Sequence, residues 1–329
     1  MLKSKTSRWI KTAILVLSVI SLGACVEYEI ETTLNDDGSG VRVERIEAVE
    51  DGDFEVTPDD FVDLMSVDAD HGWTQSTEVD DDGDTIYVFE RQTGVGNLTS
   101  WSDLSDRVRI HGAVGARAGS NIGYVSLATI QFRNTVLVET GRVSDGSASF
   151  TYRETFQWDN VLDALVESFV QDVGRRLETR YPEMGARDLG EVMGFARSRL
   201  WDALDDGLLD ADGDWEEELM DRVVDRTTEH AVKIVRVSYP EADEAPIRRM
   251  LDDLFEDDSV VVQTFLDETI PGLTLSINTS ITFRLNMPGR VTDSNAHETD
   301  GNTLIWEFSP SDAIQNPIEI YAQSARAPL

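Results

Sequence analysis

The chain has 329 residues, 40% of them hydrophobic, enough to bury a substantial core, which excludes disorder throughout. Against 63 Asp and Glu it carries only 28 Lys and Arg, a net charge of −35, and this balance excludes a nucleic-acid role, which needs a basic surface to neutralise phosphates. One cysteine leaves no internal disulfide and no multi-cysteine metal site.

Lys3, Lys5, Arg8 and Lys11 form a basic stretch without acids, and Thr12 to Ile20 is a short apolar stretch rich in Ile, Leu and Val. Together they have the form of a secretory signal. The unbroken apolar run Ala13 to Leu17 falls well short of the about 18 residues that span a bilayer, and Ser18 and Ser21 interrupt the apolar residues after it. Leu22, Gly23, Ala24 and Cys25 then resemble the lipobox of bacterial lipoproteins. That resemblance implies a lipoprotein signal peptide over residues 1–24, transfer of a diacylglycerol to the Cys25 thiol, and acylation of the freed amine, with palmitate among the chains. Two acyl chains anchor a protein stably where one is marginal, so the expected partner is a membrane, reached through lipid. The alternative is an ordinary secreted protein with a buried cysteine. Val26 follows Cys25; in Gram-negative lipoproteins an Asp at that place retains the protein at the inner membrane, so the outer membrane is expected in a two-membrane cell.

Without the leader, 24 basic residues face 63 acids, a net −39, and Lys233 is the one lysine. Such a field repels anionic lipid surfaces and opposes compaction unless salt screens it. Abundant carboxylates with almost no lysine resemble proteins that work in high salt. A surface evolved for a cationic partner or divalent ions is the alternative, and the spread of the acids along the whole chain favours the first.

In chain order, Val26 to Leu34 alternates, with Val26, Tyr28, Ile30 and Thr32 on one side and Glu27, Glu29 and Glu31 on the other. Asn35 to Gly40 then turns the chain before Val41, Val43 and Ile46, which predicts a half-buried hairpin. A short helix is expected over Asp59 to Met65 after Pro58, and strands over Thr85 to Arg91, Arg107 to His111, Tyr124 to Arg133, Thr135 to Arg142 and Ala148 to Gln157. Between five and seven antiparallel strands are expected in this part.

The periodicity then changes. Asn160 is placed to cap a helix running to about Arg180, with Leu162, Leu165, Phe169, Val173 and Leu177 on its apolar face and Pro182 beyond its end. Arg187 to Leu209 repeats the pattern through Leu189, Met193, Ala196, Leu200 and Leu204, and Trp215 to Val237 through Leu219, Val223, Ala231 and Val235. The β-branched stretch Val232 to Val237 is ambiguous. Glu244 to Glu256 supplies a fourth helix with Ile247, Met250, Leu251 and Leu254. Their polar faces carry mostly Asp and Glu, whereas a helix lying on a membrane surface favours Lys and Arg, so packing on each other or on a sheet is expected.

Strands return over Leu273 to Asn286, and Pro288 and Gly289 turn the chain into Arg290 and Val291. Asp300 and Gly301 signal a hairpin before Leu304, Trp306 and Phe308, and Ile318 to Ala322 forms the last strand. Asn286 to Val291, Ser294 to Ala296 and Asp300 to Trp306, together with the early Asp37, Gly38, Ser39, Gly40 turn, resemble the signature of the LppM-type envelope lipoproteins. The resemblance covers the two ends and leaves the middle unmatched. Its motifs shape turns and core: Pro288 and Gly289 fix a bend, Asp37, Gly38, Gly40, Asp300 and Gly301 make turns, and Trp306 fills the interior. It implies an envelope lipoprotein with a sheet-and-helix ectodomain that binds lipid or another apolar ligand. Some members add a C-terminal membrane segment, which residues up to Leu329 do not resemble.

Catalytic patterns do not emerge. His71, His111, His230 and His297 are too widely spaced for a zinc motif. Gly112, Gly115 and Gly119 lack the lysine of a phosphate loop, and Gly141 to Gly146 misses the spacing of a nucleophile elbow. Around Asp80, Asp82 and Gly83, and around Asp210, Asp212, Gly213 and Asp214, the glycine stands in the wrong place for an EF-hand loop. No catalytic residue, metal or cofactor is assigned. The expectation is therefore an α+β protein: a β-rich part over 25–157, a helical insert over 158–268, and C-terminal strands over 269–329 that complete an antiparallel module. Its expected function is a non-enzymatic, lipid-anchored envelope protein with a concave surface or cavity for an apolar or amphipathic ligand; the alternative is an interaction protein that docks through its acidic helices.

Overall fold

The computed structural model describes residues 26–49, 65–79, 83–112, 130–142, 147–208, 216–252 and 279–326. The fold is α+β, and the described chain separates into a β unit and a helical unit. The expected helix over Asp59 to Met65 lies outside the described residues apart from Met65.

The β unit begins with β1 (Val26–Leu34) and β2 (Gly40–Val49), followed by β3 (Thr74–Val79), β4 (Thr85–Val95), β5 (Arg109–Gly112), β6 (Ile130–Arg142) and β7 (Ala148–Asp159). After the helices come β8 (Thr279–Asn286), β9 (Arg290–Ser294), β10 (Glu298–Asp300), β11 (Thr303–Phe308) and β12 (Ile318–Arg326). One sheet has the order β10-β11-β8-β1-β2-β4-β3 and the other β5-β6-β7-β12-β9. Their inner faces share one hydrophobic core, in which Phe283 of the first sheet meets Tyr152 and Phe156 of the second at ring-centroid distances of 6.2 and 6.1 Å.

β1 buries Val26, Tyr28, Ile30, Thr32 and Leu34 and turns its glutamates outward, as its alternation predicts. Its pairing departs from the expected all-antiparallel module. β2 flanks it antiparallel, but β8 flanks it in parallel, from Val26 opposite Thr279 to Thr33 opposite Asn286. Parallel neighbours need a long crossover, and this one contains most of the chain, so no local pattern announces it.

Two expected strands, Tyr124 to Arg133 and Thr135 to Arg142, are corrected to the single strand β6, whose described part starts at Ile130. Asn134, which reads as punctuation, is fully buried inside it. Its Oδ1 accepts from the backbone N–H of Arg107 and Val108 at 3.1 Å each, and its Nδ2 donates to the Leu104 carbonyl at 3.0 Å. A buried amide satisfied on both ends belongs to a core as well as a leucine does. β3 has no counterpart among the expected strands: all six of its residues are exposed on the sheet edge, so no apolar alternation marks it.

In the helical unit, α1 (Val161–Arg180), α2 (Ala186–Asp205), α3 (Glu217–Ser238) and α4 (Glu244–Asp252) follow one another. The ambiguous Val232 to Val237 stretch is helical: Val232 and Val235 are buried against α1 and α4 residues, and tertiary packing overrides β propensity. Asn160 does precede α1, but it sits in the left-handed region (φ 63°) and its side chain makes no capping bond, which corrects the expected cap. The apolar face of α1 is also rotated. Val166, Val170, Val173 and Leu177 are its buried row, whereas Leu162, Leu165 and Phe169 are half-buried, because the helix feeds two separate clusters. Gly174 permits its approach to α2, since a Cβ there would lie 2.6 Å from the Met193 sulfur.

Candidate functional site

The turn residues named from the sequence act as closures of the sandwich. Between β1 and β2, Asp37 Oδ1 accepts from the Ser39 N–H at 3.0 Å and from its hydroxyl at 2.6 Å, which lowers the Asp37 carboxyl below its ordinary value. Gly38 has φ 81°, as the turn requires, and its carbonyl accepts from the Trp101 indole at 3.0 Å. Gly40 is needed for a different reason: a Cβ there would lie 2.2 Å from the Thr33 carbonyl oxygen and 2.4 Å from the fully buried Trp101 ring.

At the other end, Pro288 is buried, and with Gly289 (φ 74°) it carries the chain from β8 in one sheet to β9 in the other rather than into a hairpin. Asp300 and Gly301 do form a hairpin, between β10 and β11, with Asp300 opposite Thr303. Trp306 is buried, stands opposite Phe283, and donates to Asn295 Oδ1 at 3.0 Å. The same oxygen accepts from the Tyr321 N–H at 2.9 Å, so Asn295 ties β11 to β12 across the two sheets. Cys25 lies outside the described residues, as do the acidic turns at 80–82 and 210–214.

Sequence reasoning missed a buried charged cluster in the core of the β unit. Arg42, Glu44, Asn134 and Glu154 are 0% exposed and Arg91 6%. Arg42 of β2 reaches Glu154 of β7 with two bonds, at 3.0 and 2.5 Å, and also donates to the Tyr152 hydroxyl at 2.7 Å and to Thr32 at 3.0 Å. Glu44 stands opposite Arg91 in the β2–β4 pairing and takes two bonds from it at 2.8 Å, and a third from the Tyr28 hydroxyl at 2.8 Å. Arg91 lies 4.4 Å over the Trp73 ring.

Burial pulls the Arg42 guanidinium down, but the Glu154 carboxylate, Tyr152 and Glu44 outweigh it and hold it above its ordinary value. Burial, reinforced by Glu44, pushes the Tyr28 hydroxyl well up, and burial with the Glu154 contact does the same to Tyr152. Both phenols therefore stay neutral donors, and the cluster amounts to two ion pairs, Arg42 with Glu154 and Arg91 with Glu44, each joined by a tyrosine hydroxyl.

A signal for it was present. Val41 and Val43 are the expected apolar side of β2, yet Ile46 lies on the opposite face by parity. The structure settles the conflict by facing Gly40, Arg42, Glu44, Ile46 and Ala48 inward and leaving Val43 41% exposed. Likewise Glu154 interrupts the inward row Phe150, Tyr152, Phe156 of β7.

The helical unit holds the second feature, an open depression of about 660 Å³. Arg175, Arg176, Thr179 and Arg180 line it from α1, and Pro246, Arg249 and Met250 from α4. Asp172, 2% exposed, accepts from Arg175 Nε at 2.8 Å and Arg176 Nε at 2.6 Å. Arg180 and Arg249 have no carboxylate within 4.0 Å among the described residues; Arg180 lies 6.0 Å over the Tyr181 ring, and Arg249 donates to the Ala245 carbonyl at 3.3 Å.

The described histidine side chains stay apart. His71 contacts Asp68 at 2.8 Å, His297 accepts from the Glu307 N–H at 3.1 Å, and His230 stacks on Phe195 at 4.2 Å. No described helix is long and apolar enough to cross a membrane.

No family model, no curated protein and no solved structure matches the chain.

Proposed function

We propose that this chain is a non-enzymatic, lipid-anchored protein of the bacterial envelope, tethered through Cys25, that uses its β unit as a rigid support and its helical unit to bind an amphipathic ligand. The arginine-rimmed depression between α1 and α4 carries this reading. Pro246 and Met250 offer apolar contact beside four guanidinium groups, the mixed lining of a ligand site. The buried carboxylates Glu44 and Glu154 support a non-catalytic role, since each is clamped by an arginine and a tyrosine and closed off from solvent in the core. The rival docking role asks for a contiguous apolar patch on the helices. Among the described residues the exposed large hydrophobics are Val43, Val79, Leu137 and Val237, and Val237 alone belongs to the helical unit.

Metabolic labelling with a palmitate analogue, followed by membrane fractionation, tests the anchor. The parent chain is expected to label and sediment with membranes, and Cys25→Ser to do neither. Membrane attachment unchanged in Cys25→Ser overturns it. Native mass spectrometry of the purified full chain tests the ligand role, for which a co-purified amphiphile is expected.

A further inference from the structure

We infer that the depression between α1 and α4 is an anion site that recognises a phosphoryl group, a reading that rests on the proposed binding role of the helical unit and names the ligand chemistry. The first ground is local charge. In a mature chain of net −39, four arginines and no carboxylate line one depression, with the buried Asp172 behind Arg175 and Arg176.

Preorganisation is the second ground. Asp172 is buried, and its two oxygens hold Arg175 and Arg176, so the side-chain entropy of those two groups is already lost before a ligand arrives. A guanidinium has five N–H donors; Arg175 gives Asp172 its Nε and one Nη2 hydrogen and Arg176 gives its Nε, which leaves further donors on each arginine lining the depression. Arg180 and Arg249, exposed and without an ionic partner among the described residues, come from different helices to the same place. Planar guanidinium forks match phosphate oxygens two at a time.

Helix-dipole compensation is the competing explanation, because Arg180 and Arg249 each lie in the last turn of a helix. It accounts for each residue alone, but not for their meeting on one surface beside Arg175 and Arg176, which lie before that turn and are pinned to a buried acid. Pro246 and Met250 add apolar contact, so a phosphate joined to a hydrocarbon portion fits better than the bare ion. Salt confines the repulsion of anions by the acidic body to within about 10 Å at 0.1 M and about 3 Å at 1 M.

Two sources supply this chemistry, free phosphate and a phospholipid headgroup. The test uses the full chain with Cys25→Ser, so that acyl insertion cannot mimic headgroup binding. Isothermal titration with inorganic phosphate and flotation with phosphatidylcholine vesicles, with and without phosphatidic acid, are run at low and high salt. Binding of phosphate or selective flotation with phosphatidic acid is expected, the stronger arm identifying the source. Arg180→Ala with Arg249→Ala should weaken it by about tenfold or more per arginine. Arg180→Lys with Arg249→Lys, which keeps the charge and the fold but loses the fork, should recover part of the loss. Thermal melting checks each variant. No binding of either probe by the parent, or equal binding by the alanine pair, overturns the site. An uncharged detergent bound in place of both probes overturns it too while leaving the amphiphile-binding role standing, whereas failed palmitate labelling removes the anchor and leaves the site untouched.

Discussion

The two units handle charge in opposite ways. The β unit takes Arg42, Glu44, Arg91 and Glu154 inside and pairs them there, whereas the helical unit buries Asp172 and leaves its arginines at the surface. A buried ion pair yields little net stability but punishes the loss of one partner, because the survivor is left charged in a low dielectric. An exposed guanidinium costs little to keep and little to remove. The difference separates a framework from a surface that can exchange partners.

The largest expected effect comes from breaking the framework. Glu154→Ala should cost about 3–5 kcal/mol in chemical denaturation, because Arg42 then lacks its counter-charge. Replacing both, Arg42→Met with Glu154→Met, should recover most of that loss; a double variant as damaged as the sum of the singles would contradict the pairing. Next, Gly40→Ala should cost about 1–3 kcal/mol by overpacking against Trp101 and the Thr33 carbonyl, read by denaturation.

A third effect depends on pH. Tyr28 and Tyr152 have hydroxyls raised above 10.0 in the folded state, so their contribution is fully present below that pH. Above it the unfolded chain releases protons that the folded chain keeps, and stability falls by about 1.4 kcal/mol per pH unit for each tyrosine. Tyr28→Phe with Tyr152→Phe should flatten this alkaline slope in melts above pH 10. Smallest is the effect of Arg180→Ala and Arg249→Ala on stability, expected within about 0.5 kcal/mol, in contrast to their effect on anion binding.

How far the sequence could be read differs between the same two units. Helical spacing exposed the four described α-helices, since a period near 3.6 is a local property, and the Asp37 to Gly40 turn and the Asp300-Gly301 hairpin carry their own chemistry. What escaped was relational. Arg42 and Glu44 look like ordinary strand polar residues until β7 and β4 supply Glu154 and Arg91, and Asn134 looks like a break until three backbone groups are found waiting for its amide. The arginines of α1 and α4 read as solvated helix faces, because only the folding of one helix against the other brings them to one place.

The position of β1 in its sheet has a bearing on biogenesis. It lies between β2, its next neighbour in sequence, and β8, which ends at Asn286. A chain emerging N-terminus first completes the β1–β2 hairpin early and then holds it with one edge bare until residue 286 has appeared. Closure over so long a stretch is slow, and an open strand edge in the meantime invites pairing with other chains. The outward glutamates Glu27, Glu29 and Glu31 put like charge along that waiting hairpin, so two nascent copies repel each other until the C-terminal strands arrive.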